Sequence, residues 1–179
     1  PLRPSGHIVC GNACRLDWNT VCPHTADEEV YVMGNPPYVG SSKLDKEQQE
    51  DRTIAIGEYQ NYKKIDYIGI WLIKGARYIK DTKARYAFVS TNSVCQGEMV
   101  EPLWSPILGL DIELYCAYTT FKWTNNAKYN AGVSCVILAF TDAHNPTTKY
   151  IITENIKRRE TLENVSAIAF IDFKTSLSL

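Results

Sequence analysis

No G-x-G occurs anywhere among the ten glycines of this 179-residue chain. A glycine-rich strand-to-helix turn, the usual cradle for the polar end of a nucleotide-like cofactor, is therefore missing. A C-x2-C knuckle is missing as well. Cys10, Cys14, Cys22 and His24 lie close in sequence, but His7 and His144 add no paired pattern, so no structural metal is expected. Cys116 and Cys135 fall within strand-like apolar runs, where cysteine packs as a small hydrophobe. Charge of one sign is lacking too. The net value of −1 is too weak to hold a polyphosphate unaided, and the basic groups Lys63-Lys64, Lys74 to Arg85 and Lys157-Arg158-Arg159 read as solvated faces or helix ends. No apolar run has the length of a bilayer span; the longest, 67–73 and 133–140, are core-sized.

What remains is a composition of 45% apolar and 22% charged residues, enough for one domain with a substantial core. There are no internal repeats and no low-complexity tract. The chain opens at Pro1 in mid-pattern, which reads as an excised piece of a larger protein. No secretion signal is recognisable, so reduced thiols in a prokaryotic cytoplasm are the expectation.

The most informative segment is Asn35-Pro36-Pro37-Tyr38, directly after the apolar run 30–33. Proline fixes its own φ and holds the preceding residue extended, so two in a row set Asn35 and the Pro36 carbonyl in one relation. Asn35 offers a side-chain oxygen and Pro36 a carbonyl with no competing N–H. Two such acceptors can take both hydrogens of an exocyclic NH2, drawing the nitrogen out of planarity and freeing its lone pair for attack on an electrophile. Tyr38 adds a face on which a flat base can stack.

The pattern along the chain predicts a strand ending over 7–10, then the turn Gly11-Asn12-Ala13 and an irregular polar segment. It predicts a short buried strand over 30–33, a mostly exposed helix over 43–62 and a helix with a buried face over 65–79, carried by Ile68, Trp71, Leu72, Ala76 and Ile79. Next come a strand at Arg85–Thr91 and a helix capped by Asn92 or Ser93 and running toward Leu103. The runs 111–121 and 133–140 read as an antiparallel hairpin, with a further short strand at Tyr150–Thr153. Alternating strands and helices argue an α/β fold with a mainly parallel sheet. Ligands in such sheets bind beyond the carboxyl ends of the strands, where both singled-out turns fall.

Together, motif and element order resemble the N6-adenine DNA methyltransferases, and within them the methylase domain of single-chain type II (IIG/IIL-like) restriction–modification enzymes. The resemblance spans roughly residues 7–153. It implies the second half of a Rossmann-like S-adenosylmethionine-dependent methyltransferase fold, with a terminal antiparallel hairpin and without the N-terminal cofactor-binding half. Residues 1–153 would form the catalytic part, and 154–179 a linker or the start of a following domain. The resemblance also implies roles. Asn35 and Pro36, held by Pro37, would grip the target amine, and Tyr38 would stack on a flipped base, with Phe121 or Trp123 opposing it. Asn12 and Ala13, with Asp17 sharing or replacing Asn12, would contact the adenine of S-adenosylmethionine, flanked by Trp18.

Double-stranded DNA would be the partner, gripped largely by other parts of the full-length protein. Methylation of protein glutamine or RNA guanine, or a relic of the fold without catalysis, are the alternatives. The isolated 179-residue piece is expected to bind cofactor poorly, to show no turnover and to self-associate through an unprotected strand edge.

Overall fold

The computed structural model describes residues 7–123, 133–153 and 156–161. The element order is α1 (Trp18–Val21), β1 (Tyr31–Gly34), α2 (Lys46–Ile56), α3 (Gly69–Ile79), β2 (Arg85–Thr91), α4 (Val100–Leu108), β3 (Ile112–Trp123), β4 (Val133–Asp142), β5 (Tyr150–Thr153) and β6 (Ile156–Thr161). Among the described residues the strands form one six-stranded sheet in the order β1-β2-β4-β3-β5-β6. β1, β2, β3 and β5 run in one direction, with β4 and β6 against them. The mainly parallel α/β reading and the β3–β4 hairpin both hold.

β2 shows why the sheet has one core face. Its residues alternate, so Tyr86, Phe88 and Ser90 are buried while Arg85, Ala87, Val89 and Thr91 are only half-buried. Register places Tyr86 opposite Phe140 and Phe88 opposite Leu138 on that face. Tyr86 and Phe140 stack with centroids 4.5 Å apart, and Trp104 from α4 leans on Phe140 at 5.7 Å. Each such pair contributes about 0.5–1.5 kcal/mol beyond the area it buries. α3 crosses over Tyr86 at Gly75, where a Cβ would stand 2.9 Å from the ring. Only glycine lets the helix come that close. α3 is buried around most of its circumference, including Ile70, Leu72, Ile73, Ala76 and Ile79, which makes it the rigid spine of the domain.

Several expectations are corrected. Residues 7–10 form no strand among the described residues, and Ile8 lies 93% exposed. β1 is the bare edge strand expected, pairing among the described residues with β2 alone, but it is not buried as the run 30–33 suggests: Met33 is 77% exposed. The helix expected over 43–62 shortens to α2, started by a capping box between Asp45 and Gln48 and flanked by 3-10 turns at Ser41–Lys43 and Tyr62–Lys64. It is also less exposed than expected. Its charged Asp51 and Arg52 are buried, because Arg52 donates to the carbonyls of Lys63 and Ile65 and so ties off the following turn.

After β2 the chain makes 3-10 turns at Asn92–Cys95 and Gly97–Met99, and α4 begins only at Val100. Gly97, at φ +75°, interrupts any earlier helical path. β6 pairs with β5, which places 156–161 in the sheet. Ala127, Ala131 and Gly132, in the run between β3 and β4, and the apolar stretch 165–173 lie outside the described residues.

The Tyr86 hydroxyl is fully buried with no hydrogen-bond partner among the described residues. An unpaired buried hydroxyl costs about 1–3 kcal/mol. Tyr86→Phe, which keeps the ring stack, is therefore expected to raise the urea midpoint of unfolding, by the equivalent of about 1 kcal/mol.

Candidate active site

The Asn-Pro-Pro-Tyr turn begins where β1 ends and stands at the carboxyl ends of β1 and β2. Pro36 is buried, Asn35 and Pro37 are exposed, and Tyr38 is half-buried. The Tyr38 hydroxyl donates to Asn35 Oδ1, which orients the amide and leaves a second lone pair on that oxygen. Among the described residues no backbone N–H donates to the Pro36 carbonyl. Tyr38 lies against Cys135 of β4, and burial there pushes both the phenol and the thiol up, so both stay protonated at neutral pH. Cys135 is in register with Phe121 of β3.

The fold thus brings two of the expected stacking rings, Tyr38 and Phe121, to the flanks of one residue. Phe121 is also met edge-on by Tyr118, at 5.4 Å and 89°. The third ring, Trp123, pairs with Val133 through its backbone, and its side chain lies outside the described residues.

Below the turn, a cleft of about 310 Å³ is walled by Asn35, Pro36, Phe88, Trp18 and Trp71. It continues along β1 into a groove of about 460 Å³, whose lining includes Gly11, Ala13, Leu16 and Trp18. Trp18 is common to both. Its indole N–H donates to the Ala13 carbonyl at 2.9 Å, its ring meets Phe88 and Tyr78 edge-on, and the Lys74 ammonium sits 5.6 Å from its centroid. Ala13 of the segment expected to contact cofactor, and Asn35 and Pro36 of the turn, therefore line adjoining parts of one surface cleft that share Trp18.

Ala13 lines that cleft; the polar groups of its companions are held within the protein. Asn12 Oδ1 accepts the Cys14 N–H and its Nδ2 donates to Asp51, both at 2.9 Å. Asp17 caps α1, accepting from the Asn19 N–H and the Thr20 hydroxyl, and these bonds hold its carboxyl below the usual carboxylate range. Sequence pattern also missed Trp71. Its helical spacing predicts a place on the buried face, yet it is half-exposed and walls the cleft.

Cys10, Cys14, Cys22 and His24 do not come together as a ligand set. Cys14 is buried with its thiol on the Tyr67 hydroxyl, whereas Cys10 and Cys22 are exposed. The close grouping among the described residues is instead Asp81, Asp142 and His144. There Asp142 accepts from the backbone N–H groups of Asp81 and His144, locking a turn beyond the end of β4.

The loop carrying Asn12 and Ala13 is anchored by one buried carboxylate. Asp51 of α2 accepts from Tyr67 at 2.6 Å, from Asn12 and from the Arg15 guanidinium. Burial alone would push its pKa up; the bonds from Tyr67, Asn12 and Arg15 more than offset this and hold it below the ordinary value. A depressed carboxyl stabilises the fold in full above its unfolded value of about 3.9 and loses that contribution as pH falls through its folded value. Asp51→Asn is expected to cost about 2 kcal/mol near neutral pH. The gap from wild type should close as denaturation is followed into acid below pH 4, the range set by the unfolded carboxyl.

The family described as "MmeI, DNA-methyltransferase domain" has a model that matches residues 1–153. DNA methyltransferase A of Bacillus subtilis (strain 168) is 46% identical over 158 residues, which make up 88% of this chain and 18% of that protein. The solved structure of the Type IIL restriction-modification enzyme MmeI in complex with DNA aligns with a TM-score of 0.73 and 37% identity, covering 87% of this chain and 21% of that one. The chain thus spans about a fifth of the length of the relatives it matches. With β1 to β5, the turn after β1 and the cleft beneath it all inside the matched span, the chain belongs to the MmeI DNA-methyltransferase domain family.

Proposed function

We infer that this chain supplies the methyl-acceptor side of an adenine-specific DNA methyltransferase, working inside a larger restriction–modification protein on double-stranded DNA. The observation that supports this best is the placing of the turn: Asn35 is exposed directly after β1, and Asn35 and Pro36 line the cleft walled by Trp18 and Trp71. When bound, S-adenosylmethionine supplies a methyl group on a positively charged sulfur.

The residues present suit part of that molecule. Trp18 and the groove past Ala13 offer a flat apolar wall for its adenine end, and Asn12 and Asp17 shape the loop that carries this wall. No glycine-rich cradle is present in the sequence for the methionine end.

On the acceptor side, Asn35 Oδ1 and the Pro36 carbonyl take the two hydrogens of the N6 amine, and the nitrogen lone pair turns toward the cleft. Asn35 needs no charge for this, since its task is placement rather than proton abstraction. Tyr38 and Phe121, set around Cys135, give a base extruded from the duplex two rings to rest against, which offsets part of the unstacking cost.

The test uses the full-length protein with unmethylated duplex DNA and labelled S-adenosylmethionine. Asn35→Ala is expected to abolish incorporation of label into N6-methyladenine while leaving cofactor affinity near wild type. Tyr38→Ala should cost about 1–3 kcal/mol in kcat/KM, the value of one base–aromatic stack. Near-normal turnover by Asn35→Ala would overturn the reading.

A further inference from the structure

The turn that carries Asn35 is held from behind by a side chain that nothing above assigns to the reaction. Asp66 stands just before α3. Its Oδ1 accepts the Ser41 N–H at 2.7 Å, and its Oδ2 accepts the Ser93 hydroxyl at 3.0 Å. Ser93 in turn shares a hydrogen bond of 2.7 Å with Thr91, the last residue of β2. One carboxylate therefore bridges the stretch leaving the Asn-Pro-Pro-Tyr turn and the stretch leaving the neighbouring strand. The next residue adds a third tie, as the Tyr67 N–H donates to the Val39 carbonyl at 2.9 Å.

Two features mark this carboxylate as a geometric device rather than a charge partner. Lys63 and Lys64 line the same cavity of about 440 Å³ as Asp66, yet both Asp66 oxygens go to a backbone amide and a hydroxyl, and Lys64 reaches Glu98 instead at 3.6 Å. The base from which Asp66 acts is also rigid. Its carbonyl accepts the Gly69 N–H that starts α3, and Ile68, Ile70 and Leu72 are fully buried immediately beyond.

We propose that Asp66 is a positioning residue for methyl transfer, fixing the Tyr38 end of the turn so that Asn35 and Tyr38 meet the target amine in register. In this role it acts through Ser41, Ser93 and the turn. The proposal rests on the assignment of Asn35 as acceptor made above. Removing the bridge frees the exit of the turn while α3 and the cofactor-side loop, anchored separately through Asp51, stay in place. Misplacement of a reacting group by about 1 Å is enough to cost up to about 100-fold in rate.

The test compares Asp66→Ala, Asp66→Asn and Asn35→Ala in the full-length protein. It reads the single-turnover rate of methyl transfer to unmethylated duplex DNA, cofactor affinity by calorimetry and the thermal midpoint. Asp66→Ala should slow transfer about 10- to 100-fold with cofactor affinity and midpoint close to wild type. Asp66→Asn, which still offers an acceptor to Ser41 and can donate to Ser93, should recover most of the rate. Transfer by Asp66→Ala at the wild-type rate would overturn the proposal. So would parallel loss of rate, cofactor affinity and midpoint, or an Asp66→Asn variant as slow as Asp66→Ala. Inactive Asn35→Ala confines any such failure to Asp66, whereas active Asn35→Ala removes the acceptor assignment and the proposal together.

Discussion

A buried carboxylate on α2 is the interaction on which the arrangement of this domain turns. Asp51 gathers Tyr67, Asn12 and Arg15 onto its two oxygens, and those three residues come from the approach to α3 and from the loop ahead of α1. A charge taken out of water is tolerable only when it is paired and hydrogen-bonded, and here three donors meet it, one of them the Arg15 guanidinium. The same bonds hold an irregular loop, which has almost no backbone ladder of its own, against the most deeply packed helix of the domain. The Trp18 side of the cleft leans on that tie together with the Lys74 ammonium on the Leu16 carbonyl, the Tyr78 hydroxyl on the Cys22 carbonyl and the rings of Phe88 and Tyr78.

The other wall of the cleft is held by different means. β1 is a four-residue edge strand paired, among the described residues, in parallel with β2 alone, and two prolines follow almost at once. Proline stiffness sets the local shape of the turn, but stiffness does not decide where the turn points. That is decided by Pro36 packing into the interior, by the Tyr67 N–H on the Val39 carbonyl and by the contact of Tyr38 with Cys135. Adjacent residues 66 and 67 serve both walls: Asp66 and the Tyr67 amide reach the turn, while the Tyr67 hydroxyl reaches Asp51. The two sides of the cleft therefore meet at the base of one helix.

Much of this was legible in the residues because it depended on local rules. The run Arg85–Thr91 marked β2 to the residue, helical spacing marked α3, and the proline pair marked a rigid turn. Other features were not legible. Asp51 and Arg52 sit in a polar run whose pattern says solvent, and nothing in their neighbours announces that distant groups will fill their hydrogen-bonding needs. Trp71 has the spacing of a core residue, yet it lines a cleft because the loop bearing Trp18 crosses near it. The helix after β2 starts late because a single glycine adopts positive φ, a choice invisible to cap chemistry. For Asn12 the resemblance implies contact with a cofactor; in the fold its side chain closes its own turn and bonds Asp51.

By itself the amino-acid sequence determined the class of the fold and the chemical character of the turn at Asn35, because both follow from short-range constraints: the two-residue period of strands, the 3.6-residue period of helices and the fixed φ of proline. Only the tertiary structure decided which charged residues are interior, which rings face the cleft, and that Asp66 stands behind the turn. Those outcomes depend on pairings between residues tens of positions apart, and such pairings exist only once the sheet and α3 have packed.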